Sequence, residues 1–401
     1  MNQRDLFFRH VGQTSQSPLG LEVEYAEGIY IYDKAGKSYI DLMSGVSVSN
    51  IGHRHPKVIE AIKSQADKYL HLMVYGEYIQ TPQVQLAKLL SEVLPPKIES
   101  IYFVNSGSEA IEGALKLAKR ATGRFNIVSC KNAYHGGTHG ALSVMGDEIM
   151  RNSFRPLLPG IRQIDFNVPE QLSAIDNTTA CFLIEPIQGE GGIIIPDKEY
   201  IKLARQCCDK TGTLLIFDEI QTGFGRTGTL FAAEYFETEP DIICMAKAMG
   251  GGMPIGAFAA SHNLMNQLTF NPTLGHITTF GGHPVSCAAA KASLSVIIEE
   301  KLAEKSVAKG EMFVNLLKHH TIKQIRGKGL FLAVDLIEEI DIFELMSEAM
   351  KHGIMIDPFL FRPNAFRIAP PLTITESEIK EACNKIVKTL DIISNKISKH
   401  N

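Results

Sequence analysis

The sequence predicts an α/β protein: a mostly parallel central sheet covered by helices, with a small α+β lobe built from both chain ends. Three observations predict it. Between about residues 100 and 260, short apolar runs alternate with helical stretches. The runs are continuously apolar, the pattern of strands covered on both faces. The unusual polar residues of the chain fall just after these runs, where ligands bind in such sheets. A chain of 401 residues also exceeds one ordinary core. We therefore expect a large domain over 56–295, with 1–55 and 296–401 forming the small lobe.

The elements follow in order. IYIYD (29–33) and SYIDL (38–42) flank a Lys-Ala-Gly turn and predict a hairpin. Amphipathic helices are expected near 56–71 and 81–93. Strands are expected at IYFVN, FNIVS, ACFLIEP, TLLIFDE, DIICMAK and IGAFAA, with helices at SEAIEGALKLAKR and YIKLARQCC. From about 296 the pattern is α+β again. It closes in a long helix opened by Thr375, with Glu378 three residues on, a capping-box signature.

Composition narrows the function. Hydrophobic residues at 45% and charged residues at 21% are ordinary for a soluble globular protein. A net charge of −4 gives no broad cationic field for nucleic acid or an anionic membrane. The first residues lack the apolar run of a signal peptide, and no segment has the length to span a bilayer. The seven cysteines have no metal-ligand spacing and are expected to be reduced thiols of a cytoplasmic protein.

Three strand ends carry the chemistry. At Asn105-Ser106-Gly107-Ser108 a strand runs into a helix. The helix start suits a phosphate, Gly107 permits close approach, and the two serines can donate; a plain serine N-cap is the alternative. LLIFDE delivers Asp218 and Glu219 to a strand end, where a buried carboxylate needs a partner. A protonated pyridine nitrogen is one such partner. Mg²⁺ is another, but it would need a GxxxxGK[ST] loop that the sequence lacks. Lys247 follows an apolar strand, precedes Gly250-Gly251-Gly252, and is the only lysine between Lys210 and Lys291. Desolvation there lowers its pKa and frees the amine to attack an aldehyde, whereas a lysine snorkelling out of a loop would keep its charge in water.

With these elements in this chain order, the sequence resembles the class III (ω-amino-acid) aminotransferases, pyridoxal phosphate (PLP) enzymes of fold type I. The resemblance covers nearly the whole chain. It rests on GHRHP (52–56), NSGSEA (105–110), YHG (134–136), EPIQGEGG (185–192), DEIQTGFGRTG (218–228), the Lys247 strand, TTFGGHP (278–284) and RIAPP (367–371). It implies that Lys247 holds the cofactor as a Schiff base and moves the α-proton, while Asp218 pairs with the pyridine nitrogen. It implies that Gln221 lies near the phenolic oxygen and that Tyr134 stacks on the ring, with His135 beside it. Ser106, Gly107 and Ser108 would hold the phosphate. Thr279 would reach that phosphate from the neighbouring subunit of a homodimer with shared active sites, with Thr278 on the substrate side. His53 and His55 belong to the turn and helix start of GHRHP, not to a metal site.

The resemblance also implies a reaction: the amino group of an ω-amino acid or related amine passes to 2-oxoglutarate, giving an aldehyde and glutamate. Arg367 would clamp the carboxylate of glutamate or 2-oxoglutarate, and Glu190 would neutralise it when the ω-amine is bound. Acetylornithine, ornithine and 4-aminobutyrate are the model donors. Two positions depart from the ornithine pattern: Gly137 replaces an arginine and Val46 a tyrosine, so both recognised contacts to ornithine's head are missing. A non-transaminating enzyme of the same fold (mutase, racemase or decarboxylase) is the alternative, and it needs no Glu190–Arg367 pair. A non-catalytic dinucleotide- or phosphate-binding protein would need a GxGxxG turn and would leave Lys247 idle.

Overall fold

The computed structural model describes residues 2–400. Its central sheet has seven strands: β1 (Ser100–Val104), β2 (Asn126–Cys130), β3 (Ile161–Ile164), β4 (Thr179–Ile184), β5 (Leu214–Asp218), β6 (Ile242–Met245) and β7 (Gly256–Ala260). Their spatial order is β1-β7-β6-β5-β4-β2-β3. Neighbours from β6 to β3 are parallel, whereas β7 runs antiparallel to both β6 and β1. Strands β4, β6 and β7 are buried at every position, which is why they read as unbroken apolar runs. The six expected strands are present. The seventh, β3, is an edge strand whose Ile-Arg-Gln-Ile sequence offers no apolar run.

The helix Gly107–Thr122 follows β1 directly. Ser106 caps it, its Oγ accepting the Glu109 N–H at 3.2 Å, and Gly123 ends it in the left-handed conformation. Its buried face (Ala110, Ile111, Gly113, Ala114, Leu117, Ala118) packs on the sheet. A Cβ on Gly113 would stand 2.2 Å from Cε1 of Phe258 on β7, so a hydrogen there lets helix and sheet approach closely.

Two smaller sheets flank this core. Val23–Glu27, Tyr30–Asp33 and Ser38–Asp41 form antiparallel pairs, and Ile354–Met355 from far along the chain adds a parallel strand beside Ser38–Asp41. The expected hairpin is therefore present, and strands from both chain ends share one sheet. The third sheet, with Ile322–Lys328, Phe331–Leu336, Ala365–Ile368 and Asp357–Pro358, is antiparallel. Helices span Pro56–Ala66, Thr81–Val93 and Glu376–His400; the first ends five residues earlier than its periodicity suggests. The final capping box is formed, with the Thr375 N–H donating to Glu378 Oε2 at 2.7 Å and the Glu378 N–H to Thr375 Oγ1 at 3.3 Å. All seven cysteines are free thiols. Among the described residues no helix is long and apolar enough to cross a membrane.

The Gly113 contact gives a stability prediction. Gly113→Ala drives a methyl into Phe258 and should lower stability by roughly 1–3 kcal/mol, the usual scale of core overpacking. Thermal unfolding of the variant beside the parent protein measures it, and an unchanged midpoint would show that the helix can shift without cost.

Candidate active site

A cavity of about 450 Å³ opens where β4, β5 and β6 end and the helix Gly107–Thr122 begins. Each strand delivers one ionisable side chain to it. Glu185 follows β4, Asp218 ends β5, and Lys247 stands two residues past β6. Ser106, Gly107, Ser108, Tyr134, His135 and Gln221 complete the expected lining. The first turn of a helix leaves N–H groups without intrahelical partners, which gives the serine end of the cavity donors that can face an anion.

Asp218 and its neighbour Glu219 part company. Asp218 Oδ2 lies 2.7 Å from His135 Nδ1, both side chains buried, and Oδ1 accepts the Ile220 N–H at 3.1 Å. Glu219 points into the following loop, where it accepts the N–H groups of Ala232 and Ala233 at 3.0 and 2.8 Å and the Thr222 hydroxyl. Its burial pushes its pKa up to about 7, but its contacts are those of a loop fastener. Only one carboxylate of the pair faces the cavity.

Lys247 sits at φ +49° in a short 3₁₀ turn, a left-handed conformation that side chains rarely adopt. Burial lowers the pKa of its amine to about 8, with Arg367 pushing the same way and Glu190, Asp218 and Glu185 opposing. The uncharged, nucleophilic form is thus far more populated near neutral pH than in an ordinary lysine of pKa about 10.4.

Behind the cavity lies a second layer. Arg367 Nη2 donates to Glu190 Oε1 at 2.6 Å, with both side chains almost wholly buried. Gln221 bridges them: its Nε2 donates to Glu190 Oε1 and its Oε1 accepts from Arg367 Nη1, each at 3.2 Å. The Leu360 N–H donates to Glu190 Oε2 at 3.2 Å. Burial alone would raise the pKa of Glu190. The Arg367 guanidinium and Lys247 outweigh it, and the net shift is downward.

Four expected positions do not line the cavity. Val46 belongs to one turn of left-handed helix, Ser44 to Ser47, whose φ angles are all positive at 51, 60, 64 and 61°. Asp41 Oδ1 holds the start of this turn by accepting the Met43 and Ser44 N–H groups at 2.8 and 2.9 Å. The turn brings Val48 rather than Val46 into the lining. Gly137 donates its N–H to Ser108 Oγ at 3.1 Å, and a Cβ there would meet nothing within 4 Å. Its neighbour Gly136 has φ +123°, and a Cβ there would fall 2.0 Å from Ser108 Oγ. Thr278 Oγ1 accepts from Asn105 Nδ2 at 3.0 Å, while Thr279 is exposed and away from the cavity of its own chain. His53 bonds Asp41 Oδ2 at 2.9 Å, and His55 precedes the helix Pro56–Ala66 as its N-cap.

Two residues were missed. Glu185 lines the cavity, accepts the Gly189 and Tyr134 N–H groups at 3.1 and 3.3 Å, and has its pKa raised to about 7 by burial, with Asp218 adding to the rise. Its signal was the one used for Asp218, a carboxylate closing an apolar strand. Arg226 is fully buried in the FGRTG run, donating to the Leu330 and Pro370 carbonyls at 2.9 and 2.6 Å and to Asn50 Oδ1. Nothing in its sequence setting separates it from a surface arginine.

The family described as "Aminotransferase class-III" matches residues 11–390. The chain belongs to the class III aminotransferases. It is 41% identical over 361 residues to the acetylornithine aminotransferase of Archaeoglobus fulgidus, covering 90% of this chain and 93% of that one. Identity to the enzyme of the same name from Methanosarcina mazei is 41% over 377 residues, covering 92% of each chain. Among solved structures, the ornithine aminotransferase of Toxoplasma gondii ME49 superposes with a TM-score of 0.91 at 32% identity, covering 99% of this chain and 97% of that one. An (S)-enantioselective ω-transaminase from Thermomicrobium roseum gives 0.90 at 28%, covering 98% and 99%.

As a class III aminotransferase the protein is a PLP-dependent transaminase of fold type I, and its residues fit that cofactor. The helix start and two serines offer a phosphate cradle. Asp218 offers a carboxylate braced by His135, whose buried Nε2 has no partner among the described residues. Lys247 offers a largely desolvated amine. The chemistry of that amine is testable. Capture of the aldehyde needs the neutral form, so the rate of chromophore formation by apoenzyme and PLP should rise with pH and level off above about 8. Stopped-flow absorbance across pH 6–10.5 reads it; an inflection near the ordinary lysine value of about 10.4 would contradict a desolvated amine.

Proposed function

We propose that this transaminase moves the amino group of an ω-amino acid of the acetylornithine or 4-aminobutyrate kind to 2-oxoglutarate. The observation that carries the proposal is the buried Glu190–Arg367 pair, bridged by Gln221 from the cavity wall. One pocket must accept two substrates in turn. A dicarboxylate needs a free guanidinium, which binds a carboxylate through two parallel charge-assisted bonds. An ω-amine needs that charge covered. A glutamate able to pair with or leave Arg367 meets both demands. The names of the relatives support the amine class, and the open space at Gly137 favours a donor without a carboxylate held there by arginine.

The remaining roles belong to the same reading. PLP, when bound, supplies an electron sink conjugated to the carbon that loses its proton. Ser106, Gly107 and Ser108 would hold its phosphate. Tyr134 would cover one face of the ring, and Asp218, braced by His135, would hold a negative charge for the ring nitrogen. The Lys247 amine would take the proton from the substrate carbon and return it. Gln221 links the cavity wall to the carboxylate clamp. Val46, Gly137 and Thr278, just beyond the lining, would border the donor's tail. The lobes divide at 55 and 295, a division supported by the sheet that joins both chain ends.

The clamp is tested by separating the half-reactions. Arg367→Lys should raise the apparent KM for 2-oxoglutarate at least tenfold, because a point charge cannot replace the bidentate fork, a loss of about 1.4 kcal/mol or more. It should change the amine half-reaction far less. Glu190→Gln should do the opposite, slowing the amine donor while glutamate binding holds. A panel of acetylornithine, ornithine, 4-aminobutyrate, lysine and diamines, read by glutamate formation, identifies the donor. Equal losses for every donor and acceptor would remove the discriminating role from both residues.

The homodimer with shared sites and a cytoplasmic setting complete the proposal. Thr279 lies in an exposed stretch with Leu274, Ile277 and Phe280, which are 48, 51 and 54% exposed, and Ile79 is 96% exposed. Such clustered apolar exposure suits a covered face. A mixed dimer of one Lys247→Ala and one Thr279→Ala subunit should then hold one doubly damaged and one intact site. It should show about half the activity of the parent dimer. Activity no higher than that of the two parent variants would place Thr279 in its own subunit's site.

A further inference from the structure

Arg367 has a second carboxylate facing it. Asp357 and Arg367 are directly opposite in the antiparallel pairing of Asp357–Pro358 with Ala365–Ile368. Asp357 Oδ2 lies 3.9 Å from Arg367 Nη1. That is within ion-pair reach but too long for a hydrogen bond. The Asp357 side chain is only 24% exposed and accepts no hydrogen bond among the described residues. The charged groups that face it are Arg367, Glu190, Asp41 and Lys247.

The two carboxylates are mounted differently. Glu190 sits in a loop after β4, tied by side-chain contacts to Arg367 and Gln221 and by the Leu360 N–H. Asp357 is fixed by strand pairing, so displacing Glu190 leaves it in place. A dicarboxylate that enters for Arg367 therefore meets a guanidinium still shared with one anion. We propose that Asp357 is a specificity-determining residue, a standing counter-ion that competes with the acceptor's carboxylate for Arg367 and weakens acceptor binding relative to donor binding. This rests on the reading of Arg367 as the carboxylate clamp.

The amine half-reaction keeps Glu190 on Arg367, so removing the Asp357 charge should leave it nearly unchanged. The test is Asp357→Asn in the holoenzyme, with Asp357→Ser as a second variant should the amide disturb the strand pair. Each half-reaction is measured alone, with thermal unfolding alongside. The apparent KM for 2-oxoglutarate should fall about two- to fivefold, the scale of a partly exposed ion pair, with kcat and the donor's KM unaltered. An unchanged or raised KM for 2-oxoglutarate overturns the proposal. So does a parallel loss in both half-reactions with a lower unfolding temperature, which would mark a purely structural cross-strand pair. Arg367→Lys separates the two layers. If it raises the KM for 2-oxoglutarate while the Asp357 variants do not lower it, only this inference fails. If it leaves that KM unchanged, the clamp itself fails and this inference with it.

Discussion

A guanidinium removed from water must find its counter-charge inside the protein, because stripping a buried ion of its partner costs about 3–5 kcal/mol. Arg367 is wholly buried, and its partners come from three separate stretches: Glu190 after β4, Gln221 after β5, and Asp357 on the neighbouring strand of the C-terminal sheet. Satisfying that one side chain fixes how the C-terminal sheet sits against the carboxyl ends of the central one. Arg226 repeats the device close by. It binds carbonyls of the C-terminal region and Asn50 of the N-terminal region, and burial lowers its pKa to about 9 against the opposing pull of Asp41. Three parts of the chain thus meet around two arginines.

The same crowding sets the chemistry. Lys247 lies in the field of Glu185, Glu190 and Asp218 on one side and Arg367 on the other. The carboxylates hold the amine's pKa up and burial with Arg367 brings it down, leaving it at about 8. Glu185, pushed to about 7, titrates in the same range. Displacing any one of these charges changes the balance felt by the others, so the cavity responds to substrates as a unit rather than residue by residue.

The central sheet and its site were legible because both rest on local patterns. Continuous apolar runs announce covered strands, and a polar residue closing such a run announces what the strand delivers, as with Asp218 and Lys247. The edge strand β3 lacked a run and went unseen. The reversal of β7 leaves no local trace, since an apolar run reads alike in both directions. Asp218 and Glu219 looked equivalent, because only the alternation of side chains at the strand end decides which faces the cavity. The pairing of Asp357 with Arg367 depends on register across ten residues and was invisible. Arg226 was hidden for the opposite reason: its partners are backbone carbonyls, which every sequence has.

The reversed strand has a consequence for how the chain acquires its shape. β1 is the outermost strand and bonds only to β7, more than 150 residues further on. Until residue 260 has left the ribosome, β1 has no strand partner, and the turn at 105–108 that it carries is held only through the helix it opens. The strands β2 to β6 can assemble as a parallel block beforehand, since each finds its partner among them. Inserting β7 then joins β1 to that block in one late, long-range step. Such a step is slow by its topology. It also leaves the last strand of the central sheet unpaired until nearly two-thirds of the polypeptide exists.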